Sequence, residues 1–104
     1  MKLSPEELER VARFFRVFSE PTRLALLQEL KDGPKGVGEL VSKVDMTQAN
    51  VSQQLRLLHD AGLLSRQKQG TKVFYSICEP MVMELCKLAC EGLNRPSKQR
   101  KLTF

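Results

Sequence analysis

At 104 residues, with net charge +5, 41% hydrophobic and 28% charged residues, the chain has the composition of one globular domain with a modest core that self-association would complete. Its apolar runs are only a few residues long, which argues against a membrane partner, and "MKLSPEELERV" lacks the apolar stretch of a secretion signal, so a cytoplasmic protein is expected. The charge is clustered. Positions 46–78 carry Arg56, Arg66, Lys68 and Lys72 against Asp60 alone, and positions 92–104 add Arg95, Lys98, Arg100 and Lys101 with no acid. Such clustering is the footprint of a polyanion, although a solvated basic surface would look the same by charge alone.

In chain order, "SPEE" opens a first helix, with Ser4 as N-cap, Pro5 in the first turn and Glu7 closing a capping box. It is expected to run to about Phe18, its apolar residues covering more than half the circumference. "SEPTRLALLQEL" restarts a helix at Ser19, with Leu24, Leu27 and Leu30 along one side, and "KDGPKG" breaks it. Val37 to Val44 predicts a short third helix. "MTQANVSQQLRLL" predicts a fourth, capped by Thr47 and stopped near Gly62. Leu63 to Lys68 and Lys72 to Ile77 read as two strands around "QGT", and Glu79 to Leu93 as a final helix. Residues 1–94 form one expected domain, and 95–104 a basic tail expected to be mobile.

A short helix, a tight connection and a second helix make a helix-turn-helix candidate. At 100° per residue, Val51, Leu55 and Leu58 define the buried side of the fourth helix. Gln53 points away from them, flanked by Ala49, Asn50, Ser52 and Arg56, while Gln48 reaches forward from the first turn. A surface helix made only for solubility would carry Glu and Lys here. Amides instead can pair with adenine, serine reads several base edges, and a small Ala49 leaves room for thymine methyls. No carboxylate occupies 46–59 to repel phosphate. Arg66, Lys68 and Lys72 around Gly70 would form a basic wing that grips the DNA backbone and supplies salt-dependent affinity. Gln54 lies nearer the buried side and reads as a packing residue.

With these segments in view, "SEPTRLALLQEL", "GVGELVSKVDMTQANVSQQLRLLHDAGLL" and "RQKQGTKVFYSI" together resemble the ArsR/SmtB family of winged-helix repressors. The resemblance implies a mainly α fold with a small β-hairpin wing. It also implies a homodimer joined by its first and last helices, binding double-stranded DNA at an inverted-repeat operator and released by a metal, metalloid or thiol-reactive inducer. Family base contacts would fall on Gln48, Ala49, Ser52 and Gln53. Dimerisation also follows from the residues: the first and last helices carry apolar bands too wide for one small core. Leu8, Val11, Phe15, Met83, Cys86 and Cys90 are the expected interface residues. Two copies would set the reading helices in successive major grooves, about 34 Å apart.

The sequence departs from two well-known family sensor sites. Where one type carries thiols in an "ELCVCDL" helix, this chain has "GELVSKV", and its last helix lacks histidine, His59 lying elsewhere. Cys78, Cys86 and Cys90 remain as candidate sensing thiols. Cys86 and Cys90 share a helix face, with Cβ atoms roughly 5–6 Å apart, a span suited to a thiophilic ion such as As(III) or to a bridge of sulfur atoms. A direct disulfide would strain an unbroken helix. Redox or reactive-sulfur sensing by Cys86 and Cys90, and packing by small buried thiols, are the competing readings. An enzyme is disfavoured: there is one histidine, no nucleophile with an accompanying base and no glycine-rich phosphate loop. A winged helix that binds only protein is the other rival.

Overall fold

The computed structural model describes residues 1–95 and 100–104. Ser4 accepts from the Glu7 amide at 3.1 Å while the Glu7 carboxylate accepts from the Ser4 amide at 2.7 Å, and this reciprocal cap starts α1 (Pro5–Val17). The Ser19 hydroxyl donates back to Arg16 O at the end of α1 instead of capping the next helix. For that reason α2 (Pro21–Leu30) begins two residues later than expected, with Glu20 as N-cap. Leu26, Leu27 and Leu30 are buried there, while Leu24 is only partly so. The expected stripe is displaced because α2 packs against α3, α4 and the sheet together and has no single buried side.

The segment read as a break contains a strand. β1 (Lys35–Gly36) pairs antiparallel with the far hairpin strand, Lys35 opposite Tyr75 and Gly36 opposite Phe74. A side chain at Gly36 would meet the Phe74 ring at 3.4 Å, an ordinary contact distance. α3 (Val37–Lys43) and α4 (Gln48–Asp60) follow, and Thr47 Oγ1 accepts from the Asn50 amide at 3.1 Å as the N-cap. Gly62, at φ +83°, closes α4: the Leu63 amide reaches Leu58 O at 3.1 Å and the Gly62 amide reaches His59 O at 2.9 Å.

β2 (Leu64–Gln69) and β3 (Lys72–Ile77) form the hairpin, and the sheet order is β1-β3-β2. Its two-residue turn has a positive φ of 64° at Gly70 and none at Thr71, the pattern of a type II′ turn. α5 (Met81–Asn94) starts after Glu79, whose carboxylate accepts from the Met81 amide at 2.8 Å. The core gathers Leu26, Leu27, Leu30, Leu40, Val51, Leu55, Leu58, Leu63, Leu64, Tyr75 and Val82. α1 contributes no fully buried residue.

Of the basic tail, 96–99, including Lys98, lie outside the described residues. Its described end is folded back on α5. The Asn94 side chain donates to Leu102 O at 2.8 Å and accepts from the Leu102 amide at 2.7 Å, and Phe104 packs at the edge of the core.

Candidate nucleic-acid interface

Val51, Leu55 and Leu58 are wholly excluded from solvent, which fixes the rotation of α4 about its axis. Gln48, Ala49, Ser52, Gln53 and Arg56 therefore stand exposed on the outer side, with Thr47 at the cap. Among the described residues, Gln48 and Gln53 make no side-chain hydrogen bond within the chain, so both donor and acceptor ends of each amide face outward. Asn50 is half-buried and its oxygen accepts from Gln54 Nε2 at 3.1 Å. Gln54 was read as packing; it is a hydrogen-bonding centre that also accepts from Arg23 Nη1 at 2.9 Å.

The wing stands beside α4. Arg66 lies opposite Tyr75 and Lys68 opposite Val73, so both project from one face of the ribbon, while Lys72, opposite Gln69, projects from the other. Tyr75 is buried and its ring meets His59 of α4 edge-on at 6.4 Å, which locks the base of the wing to the helix. One groove is lined by Ser52, Arg56, His59 and Asp60 from α4 together with Val37 from α3 and Arg66, Val73 and Tyr75 from the sheet, so one carboxylate stands among its two guanidinium groups. Two guanidinium groups thus border a channel beside the amide row. Lys68, Gly70 and Lys72 extend the exposed cationic ribbon away from it. A face of neutral amides flanked by cations suits base edges between phosphates.

The pattern described as "bacterial regulatory protein, arsR family" matches residues 20–66. An HTH-type transcriptional regulator of Mycobacterium tuberculosis, Rv0081, is 36% identical over 90 residues, which cover 86% of this chain and 79% of that protein. The chain belongs to the ArsR family. The crystal structure of Rv0081 superimposes with a TM-score of 0.81 at 34% identity, covering 90% of this chain and 94% of that one. An antimony-specific transcriptional repressor, AntR, gives a TM-score of 0.79 at 30% identity, covering 95% and 91%. A probable mercury resistance operon repressor of Streptomyces lividans is 40% identical over 81 residues, 78% of this chain but only 65% of that protein's length. The winged helix-turn-helix architecture and a role in DNA-binding transcription regulation, not catalysis, follow from this membership. No helix among the described residues is long and apolar enough to cross a membrane.

In this ArsR-family regulator the three thiols occupy different settings. Cys78 is exposed at the end of β3; its amide donates to Leu63 O at 3.0 Å and its thiol to Gly62 O at 3.6 Å, at the turn that ends α4. Cys86 is buried and Cys90 partly so. Burial pushes the Cys86 thiol above its usual range, and the neighbouring Cys90 adds to this. Within one protomer, no three His, Cys, Asp or Glu side chains of the described residues gather as metal ligands.

The large exposed apolar residues of α1 are Leu8, Val11 and Phe15. On α5 the placement differs from the expectation. Cys86 turns inward beside Val82, Met83 and Cys90 are half-buried, and the residues left exposed are Met81, Leu88 and Leu93. The apolar band of α5 is wide, leaving only a strip of Glu84, Lys87 and Glu91, so periodicity defined the band without saying which part of it the protomer's own core takes.

Proposed function

We propose that the chain is a homodimeric repressor that reads an inverted-repeat operator through α4, grips the flanking phosphates with its wing, and is released by a thiol-directed inducer. The observation that carries the DNA reading is the outer side of α4. Gln48, Ala49, Ser52, Gln53 and Arg56 are exposed together with no carboxylate among them, beside a groove that adds Arg66 and, at the far end of α4, Asp60. Gln48 and Gln53 read base edges, Ala49 admits a thymine methyl, and Ser52 and Thr47 supply hydroxyls. Arg56, Arg66, Lys68 and Lys72 supply affinity that falls with salt, and the Gly70 turn lets the wing tip approach the backbone closely. The dimer is supported by Leu8, Val11 and Phe15 on α1 with Met81, Leu88 and Leu93 on α5, an apolar surface that water would otherwise cover.

The inducer reading rests on Cys86 and Cys90, one helical turn apart on the element that also carries the dimer surface. Relatives named for mercury resistance and for antimony make a soft thiophilic ion or oxyanion the chemistry of choice. Two thiolates of α5, joined by a ligand from elsewhere in the dimer, would hold it and tilt the helix, changing the spacing of the two readers. A second reading, a repressor whose cysteines only pack, has one observation in its favour: the Cys86 thiol is buried and held protonated.

The test is operator affinity with and without As(III), Cd(II) and polysulfide, for wild type, Cys86→Ser and Cys90→Ser, on a duplex selected from a random pool. Loss of affinity on addition of one agent, abolished by either substitution, is expected. Identical responses in all three proteins would leave packing as the role of the thiols.

A further inference from the structure

The guanidinium of Arg23 is the start of a hydrogen-bonded chain that ends on the reading helix. From its half-buried place on α2, Nε donates to Val17 O at 2.8 Å and Nη2 to Arg16 O at 3.1 Å, a carbonyl that also accepts from Ser19, so the guanidinium is seated on the end of α1. Nη1 donates to Gln54 Oε1 at 2.9 Å, and Gln54 Nε2 donates to Asn50 Oδ1 at 3.1 Å. An arginine has donors and no acceptor, so it can meet only the oxygen end of the Gln54 amide. That orients Gln54 with its nitrogen towards Asn50, and this nitrogen in turn requires the Asn50 oxygen. The Asn50 oxygen is thereby turned towards Gln54, and among the described residues its NH2 group makes no hydrogen bond.

Resting on the DNA-binding reading above, we infer that Asn50 is a contact of fixed polarity. It donates to a hydrogen-bond acceptor on the duplex, and Arg23 and Gln54 are the positioning residues that hold it in that sense. This separates Asn50 from Gln48 and Gln53, whose amides keep both ends available for the donor-and-acceptor pairing that adenine accepts. The acceptor on the DNA is a phosphate oxygen or an acceptor atom of a base edge; both have the chemistry that an NH2 group requires. The same chain ties the end of α1, a helix of the proposed dimer surface, to the first turns of α4, so Asn50 is oriented only while α1, α2 and α4 keep their places.

The test is a double-substitution cycle of Asn50→Ala and Gln54→Met, read as affinity for a selected operator and for a random duplex at one salt concentration, with thermal midpoints measured alongside. Gln54→Met keeps the volume and removes the relay. Each single substitution is expected to weaken operator binding about threefold to tenfold, and the pair to be no weaker than Asn50→Ala alone. Equal losses on both duplexes would assign the acceptor to phosphate, and a loss on the operator alone would assign it to a base. If Gln54→Met lowers the midpoint sharply, Gln54→Glu serves instead: it keeps the Arg23 partner and exchanges the donor for a charge that repels any duplex, so it should weaken operator binding more in the wild-type background than in Asn50→Ala. Wild-type affinity in the Gln54 variant, or losses that multiply in the pair, would overturn the inference while leaving the DNA reading intact. A wild-type protein that holds no duplex would overturn both.

Discussion

α4 and α5 are nearly equal in length, thirteen and fourteen residues, and each buries one apolar side, yet their exposed sides differ. α4 turns Gln48, Ser52, Gln53 and Arg56 outward, with Leu57 the one large apolar residue among them, whereas α5 turns out Met81, Leu88 and Leu93 beside the charged strip of Glu84, Lys87 and Glu91. The inner sides say only that both helices belong to one core. The outer sides distinguish what each helix meets next: hydrogen-bonding edges and negative charge for α4, another apolar surface for α5. Function in so small a domain is written on the half of each helix that its own fold does not use.

The contrast is broken most severely from the α5 side. Leu88→Glu sets a carboxylate in the proposed dimer surface, and an unpaired buried charge costs about 3–5 kcal/mol. Size-exclusion chromatography should show a monomer, and operator affinity should fall on the order of a hundredfold or more, because one half-site cannot hold a single reader. A Leu88→Glu protein that stays dimeric and binds normally would move the interface elsewhere. From the α4 side, replacing Arg66, Lys68 and Lys72 together by Ala should weaken operator and random duplex alike. It should also flatten the plot of log affinity against log salt by about 0.9 for each lost phosphate contact. A loss confined to the operator would instead make the wing a reader.

The smallest effect concerns the thiols. Burial first, and Cys90 second, raise the Cys86 thiol, so its thiolate forms only at higher pH than in the unfolded chain. Iodoacetamide should modify exposed Cys78 first and Cys86 last, as read by mass spectrometry over time. Because the folded state holds that proton more tightly, the associated stability is present through neutral pH and is lost as pH climbs through the raised value. Cys86→Ser should remove this alkaline decline in thermal midpoint; persistence of the decline would assign it to another group.

Much of this arrangement was legible in the sequence, and the failures have physical causes. The Ser4 and Glu7 cap, the Thr47 cap and the Gly62 stop are local chemistry, written within three or four residues, and all three occur as expected. The amide row of α4 follows from Val51, Leu55 and Leu58 at helical spacing. β1 was invisible because two residues, Lys35 and Gly36, show no alternation; only their pairing with β3 makes them a strand. The role of Gln54 was missed because Arg23 lies 31 positions away in the chain. No local rule links them. Which part of the apolar band of α5 stays exposed was unreadable for a related reason: it depends on where the rest of the core stands.

The central claim is that the uncharged outer side of α4 discriminates between DNA sequences. The most direct measurement is the ratio of affinities for a selected operator and a random duplex, at constant salt, for wild type and Gln48→Ala/Gln53→Ala, with circular dichroism and dimer mass confirming the fold. Each amide that pairs with a base is worth about 1–3 kcal/mol of discrimination, so the ratio should collapse by roughly a hundredfold while random-duplex binding is nearly unchanged. An altered protein that keeps the wild-type ratio would contradict the account.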